Sequence, residues 1–237
     1  MTINYVQKTA VFKAAAANSV TSAAMSITPG NVGINTTGGW HASGVTLGVS
    51  GSAGSWAVDK TATGGAYSAV VIGSSLNSPG GSITTTATNT QNADSATYFS
   101  GIASEFSGLV AASAVDVTAQ QTGGSTQTTS TVTTAATGQE RELVIVAINA
   151  GANLADTATT DPPTGYTSLG VNQNSATECP FEAAYKIVAS AGVQSATWTF
   201  ASTNVAGFAA VAAAYKGRSD EPRRFGPDTQ ELFHNPR

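Results

Sequence analysis

Leu143-Val144-Ile145-Val146-Ala147-Ile148 is an unbroken apolar run in which all but Leu143 and Ala147 are β-branched. It is too short for a core helix and too branched to favour one, so it reads as a central strand covered on both faces. Its surroundings agree. Ser195-Ala196-Thr197-Trp198-Thr199-Phe200 alternates small or polar with apolar residues, while Ser130-Thr131-Val132-Thr133-Thr134 and Ser82-Ile83-Thr84-Thr85-Thr86 are rich in β-branched side chains. Gly, Asn, Pro and Ser clusters bound these segments, the punctuation expected of strands. Alanine favours helices, yet Gly207-Phe208-Ala209-Ala210-Val211-Ala212-Ala213-Ala214-Tyr215 lacks caps and runs into Lys216-Gly217. It too reads as a strand. Only residues 11–24, around Ala14-Ala15-Ala16-Ala17, leave room for a short helix.

The strands recur in one order. In the second half Gly165-Tyr166 is followed by Ala183-Ala184-Tyr185-Lys186-Ile187-Val188, then Ser195 to Phe200, then Ala209 to Tyr215-Lys216-Gly217. The first half offers Gly54-Ser55-Trp56, Ala69-Val70-Val71-Ile72, Ser82 to Thr86, and Ile102 to Phe106-Ser107-Gly108. An offset of about 110 residues with four elements in register is the signature of an internal repeat. About seven strands per unit, with frequent turn signals and no helical period between them, predict two antiparallel β-sandwiches. The fold expected is therefore all-β: two tandem sandwiches, Ig-like or jelly-roll-like, spanning residues 1–111 and 112–217, with an extended C-terminal arm over 218–237. Small residues on one sheet need bulky ones opposite. Trp40, Trp56, Phe99, Phe106, Tyr166, Tyr185, Trp198, Phe208 and Tyr215 are the candidates for that core.

Composition narrows the function. The 237 residues include 41 Ala, 34 Thr, 25 Ser and 25 Gly, but charged residues make up only 10% and the net charge is −4. Ordinary domains carry about 25% charged residues, so this surface is polar through hydroxyls and amides. Nucleic-acid binding through phosphates needs a basic stripe that is missing here. No apolar run approaches the ~20 residues of a membrane-spanning helix, so no membrane insertion is expected. Met1-Thr2-Ile3-Asn4-Tyr5 lacks the basic-then-apolar pattern of a secretory leader. The residues before Arg218 hold 16 charges. Charged guards normally protect sheet edges, so some edges are expected to be covered by neighbours in an assembly.

Catalytic constellations do not emerge. Gly48-Val49-Ser50-Gly51-Ser52 lacks the last glycine of a nucleophile elbow, and His41 and His234 offer no Ser–His–acid set. Glu105, Glu140, Glu142, Glu178 and Glu182 are scattered and unmatched between the repeats, unlike a glycosidase pair. Asp116, Asp156 and Asp161 lack the dense spacing of a calcium loop. Lone Cys179 cannot pair within the chain, and no cofactor is implied. Asn35-Thr36-Thr37 matches a glycosylation acceptor only as a short chance pattern. No enzymatic activity is expected.

Two features remain. Arg218 to Arg237 contains eight of the 24 charged residues and three of the eight prolines. It reads as an arm without a core of its own, gripping a partner through Arg218, Arg223, Arg224, Phe225, Leu232 and Phe233, because ordering a free backbone costs about 1–2 kcal/mol per residue. Trp40, beside His41 and preceded by Gly38-Gly39, is the aromatic without a counterpart in the other repeat. Trp40 and His41 form a possible ligand platform of the kind that binds host surface glycans.

The series Gly165-Tyr166, Ala183 to Val188, Ser195 to Phe200 and Ala209 to Gly217, with Ser104-Glu105-Phe106-Ser107-Gly108-Leu109 at the matching place in the first half, resembles β-sandwich repeats of tailed-bacteriophage and prophage structural proteins. The resemblance spans roughly residues 40–217 and leaves the arm outside. It implies a non-enzymatic virion component, a capsid decoration, head-fibre, tail or collar protein. Such a protein is assembled in the host cytoplasm with other virion proteins and copies of itself, and the resemblance carries over no catalytic residue. The alternative is a glycan- or receptor-binding module of a phage fibre or bacterial adhesin.

Overall fold

The computed structural model describes residues 2–65, 67–92, 97–124, 127–150, 162–172, 180–200 and 207–218. Every regular element among them is a β-strand. The first half contains β1 (Asn4–Lys8), β2 (Phe12–Ala17), β3 (Ser19–Thr21), β4 (Met25–Ile27), β5 (Val32–Trp40), β6 (Leu47–Gly51), β7 (Trp56–Gly64), β8 (Ser68–Ser75), β9 (Gly81–Ile83), β10 (Thr85–Asn89) and β11 (Thr97–Ser107). The second contains β12 (Val115–Gly123), β13 (Thr129–Ala136), β14 (Glu142–Ala150), β15 (Thr167–Asn172), β16 (Phe181–Val188), β17 (Val193–Thr199) and β18 (Phe208–Lys216). The molecule is all-β.

Pairing is antiparallel throughout. The large sheet of the first half runs β1-β11-β5-β8-β7, with β2 also on β11, and faces a small sheet β3-β10-β6. A further pair, β4-β9, closes one side. The large sheet of the second half runs β12-β18-β14-β16-β15 and faces the pair β13-β17. Position by position the two large sheets follow one plan: first strand, last strand, middle strand, then a hairpin. The chain leaves the large sheet for the small one and returns, with its first strand lying beside its last, in the manner of a jelly roll.

The short helix allowed over residues 11–24 does not form. Phe12–Ala17 and Ser19–Thr21 are β2 and β3, held by β11 and β10, with a left-handed kink at Ala16 (φ 51°). Burial of Phe12 and Val20 against the sandwich outweighs the helix preference of four alanines, which is a weak bias. The strand read over residues 82–86 breaks at Thr84, where the chain passes from β9 to β10.

Three apolar layers lie between the two large sheets and the smaller sheets that cover them. One lies inside the first sandwich, where Phe99, Val71, Leu47 and Ala87 meet. A second lies inside the other, where Trp198 and Val132 pack on Val144, Val146, Ala210 and Ala212. The third joins the halves. Ile34, Ile72, Ile102 and Phe106 of the first large sheet bury against Leu143, Ile145, Phe181, Val211 and Tyr215 of the second. Alternate residues of β14 thus serve different layers, the even ones facing their own small sheet and the odd ones facing the other half. That is why Leu143–Ile148 carries no polar face. Alanines of β18 divide the same way, Ala209 and Ala213 to the middle layer, Ala210, Ala212 and Ala214 to the inner one.

Close approach of the large sheets depends on missing side chains. A Cβ on Gly64 would lie 1.9 Å from the Phe208 carbonyl oxygen, and one on Gly38 would lie 2.7 Å from Asn149 Oδ1. Polar bridges then fix the seam. Asn149 Nδ2 donates to Gly39 O (2.9 Å) and Ser68 Oγ (2.8 Å), Asn172 Nδ2 donates to Ser100 Oγ (2.8 Å), and Tyr215 OH donates to Asp59 Oδ2 (2.6 Å). Lys8 Nζ also reaches Leu169 O. The Tyr5 and Tyr185 rings stack across the halves at 5.5 Å.

Candidate functional site

Arg218 is the one arm residue within the described part of the chain; Arg223, Arg224, Phe225, Leu232 and Phe233 lie outside it. The structure places Arg218 on the body itself. Its Nε donates to Leu109 O (2.7 Å), a terminal guanidinium nitrogen donates to Gly30 O (3.1 Å), and its backbone N–H reaches Gly108 O (2.8 Å). Beside it Leu109 and Gly217 form an isolated bridge that ties together the ends of the two repeats. Arg218 is therefore a clasp between the halves. Its charge-assisted bonds satisfy carbonyls left over where β11 ends.

Trp40 and His41 part company. Trp40 ends β5 on the face directed towards the second half and is half-buried. His41, one residue on, turns to the opposite side and is 2% exposed. Its Nδ1 accepts the Ser43 backbone N–H (3.0 Å) and lies 3.4 Å from Asn92 Nδ2, while its own backbone N–H donates to Tyr67 O (3.0 Å). Strand alternation makes this unavoidable, since successive side chains point to opposite faces. His41 is thus a staple for the turn after β5 and has no free surface for a ligand.

What the sequence did not reveal is the company Trp40 keeps. Tyr98, at the start of β11, is its partner across the sheet, with ring centroids 5.6 Å apart and planes at 48°. Tyr67, in the turn between β7 and β8, sits 6.3 Å away at 43° and is 43% exposed. The three come from positions 40, 67 and 98, so only sheet register unites them. The remaining core candidates are placed as follows. Phe99, Phe106, Tyr166, Trp198, Phe208 and Tyr215 are buried, whereas Trp56 and Tyr185 are half-buried at the margins of the first and middle layers. Trp56 Nε1 donates to Ala53 O (3.0 Å).

The acidic residues serve separate structural ends. Glu105 is fully buried on β11. Burial pushes its carboxyl upward, but hydrogen bonds from Gln7, the Thr28 N–H and Asn31 outweigh this and hold it below the ordinary range. Burial holds Asp59 above its ordinary range, against the hydrogen bonds from Tyr215 and Ser74. Glu142 is also buried; desolvation, and then the Asp116 carboxylate beside it, push it up to about 7. Among the described residues no three His, Cys, Asp or Glu side chains gather in a metal-binding group. Asp156, Asp161, Cys179, Glu178 and His234 lie outside the described residues. The acceptor-like Asn35-Thr36-Thr37 is fully buried, which denies it to a glycosylating enzyme.

A shallow hollow of about 440 Å³ opens beside β12 and β13, lined by Gln121, Gln127, Thr129, Thr131 and Phe208 among others. It is polar and without ionisable groups. Against known proteins, no family model, curated protein or solved structure matches the chain.

Proposed function

We propose that the chain is a non-enzymatic structural component of a bacteriophage particle: a capsid decoration or head-fibre protein, or a tail or collar protein. It assembles with copies of itself or other virion proteins through its sandwiches and the arm beyond Arg218. One observation carries the reading. Two sandwiches are locked back to back through a continuous middle layer, leaving outward the small sheets, whose exposed faces are hydroxyl ladders. Thr131 and Thr197 approach at 2.9 Å, Thr133 and Ser195 at 3.0 Å, Thr21 and Thr86 at 2.8 Å. The strands β13 and β17 contain no ionised side chain and have no further strand partner among the described residues. Such edges favour pairing with a neighbour. A rigid body with bondable, uncharged flanks suits a component that must persist outside the cell in a repeating shell or fibre.

The test is made on particles of the phage or prophage that encodes the chain. Mass spectrometry of purified virions is expected to find it at fixed stoichiometry, and light scattering of the free protein is expected to show an oligomer. Truncation after Arg218 is expected to abolish incorporation without lowering the melting temperature. A chain missing from purified virions overturns the reading; incorporation unaffected by truncation removes the arm from it.

A further inference from the structure

We propose that Trp40, Tyr67 and Tyr98 form a binding site for a neutral oligosaccharide, a site independent of the assembly role above. Three ring centroids succeed one another at 6.3 and 5.6 Å, each ring tilted by 43° or 48° to the next. Trp40 thus stands next to both tyrosines, and the cluster offers a saccharide more than one ring. Aromatic faces take the C–H face of a pyranose, and the polar tips of Tyr and Trp remain available for its hydroxyls. Here no hydrogen bond from the described residues occupies Tyr67 OH, Tyr98 OH or Trp40 Nε1, and none of these atoms is among the buried ones. The cluster is therefore wet at its polar ends and apolar on its faces.

Its supports are stiff. Trp40 and Tyr98 face one another in the pairing of β5 with β11, and Trp40 pairs with Ser68 of β8 on its other side. Tyr67 is held by the His41 N–H on its carbonyl, and the turn that carries His41 is held in turn by Asn92, whose Nδ2 donates to Gly44 O (2.5 Å). Beside Trp40, Asn149 Nδ2 donates to Ser68 Oγ and Gly39 O, and Ser68 Oγ donates back to Asn149 O, which ties the neighbouring seam. A preformed surface of this kind avoids an ordering cost on binding. Charge decides the ligand class. Residues 38–41, 67–70 and 97–101 contain no acidic or basic side chain apart from buried His41, so these segments supply no cation for an anionic glycan and suit a neutral one. His41 acts here as a positioning residue.

The experiment uses the full chain and a panel of neutral glucose, galactose and N-acetylhexosamine oligomers, read by saturation-transfer NMR and tryptophan fluorescence. At least one oligomer is expected to bind. Trp40→Ala is expected to weaken it tenfold or more and exposed-turn Tyr67→Ala severalfold, with Thr197→Ala on a small sheet unchanged. Melting temperatures of the variants check folding, and Tyr67→Ala keeps the test open if Trp40→Ala fails to fold. No binding by any member overturns the proposal, as does full affinity in Tyr67→Ala and Trp40→Ala. A synthetic peptide of residues 219–237 is tested in parallel, because aromatic strips also hold proline-bearing segments. Binding of that peptide without any sugar overturns the proposal in favour of the chain's own arm. Particle incorporation is a separate readout, so loss of sugar binding leaves the assembly reading standing, and the reverse.

Discussion

Glu142 opens β14 with its side chain shut away from solvent. Desolvation, followed by the repulsion of the Asp116 carboxylate, raises its carboxyl from 4.5 to about 7, more than the charge of Lys216 lowers it. Since the folded chain holds this proton more tightly than the unfolded one, the contribution to stability is complete below about pH 4.5 and disappears as pH rises through 7. Thermal melts are therefore expected to show the protein gaining stability from pH 8 down to pH 5, the reverse of a chain governed by paired carboxylates. Glu142→Gln should flatten that slope and leave the protein at least as stable at pH 8. Glu105, held low by its three donors, acts with the opposite sign, and its contribution is lost only as pH falls below its ordinary 4.5. Tyr215 supplies a second test. Its hydroxyl is the sole described link from β18 to the Asp59 carboxylate, and a bond to a charged acceptor is worth about 1.5–3 kcal/mol. Tyr215→Phe is expected to cost that much in urea unfolding.

At the scale of elements, β7 and β18 show how glycine sets the spacing between sheets. Gly64 ends β7 directly against the carbonyl of Phe208, at a distance no Cβ can occupy. Gly64→Ala must push two backbones apart and is expected to destabilise by about 1–3 kcal/mol, the usual cost of overpacking. Gly124→Ala, with open space around it and no left-handed backbone, should change the melting temperature little. The elements also show what was readable along the chain. Leu143–Ile148 declared itself a doubly covered strand, and β14 is one. The alanine-rich β18 was legible because it lacked caps and recurred in the repeat frame. Residues 11–24 misled because alanine runs carry little side-chain information, and pairing with β11 and β10 chose the conformation. The aromatic strip was half legible. Trp40 stood out beside Gly38-Gly39, whereas Tyr67 and Tyr98 were ordinary residues until the register of β5 and β11 and the turn before β8 brought them to it.

For the whole molecule, the middle layer decides whether the halves can live apart. Ile34, Ile72, Ile102, Phe106, Leu143, Ile145, Phe181 and Val211 all face it and are at most 1% exposed. Each such side chain is worth about 1.5–3 kcal/mol on burial, so together they rival the entire net stability of a domain, about 5–15 kcal/mol. Calorimetry of the full chain is expected to give one transition, with van't Hoff and calorimetric enthalpies in agreement. Residues 1–111 and 112–218 expressed separately are expected to aggregate or associate with each other; two independent transitions would show the layer to be dispensable.

Sequence by itself determined the β class, the order of strands and their recurrence, because alternation and β-branching are local properties that survive without a partner. Tertiary structure alone decided that the two large sheets lie back to back, that Arg218 clasps its own chain, and that His41 turns inward while Trp40 joins two tyrosines. Each of these depends on which distant backbones come within bonding reach, and local pattern holds no record of distance.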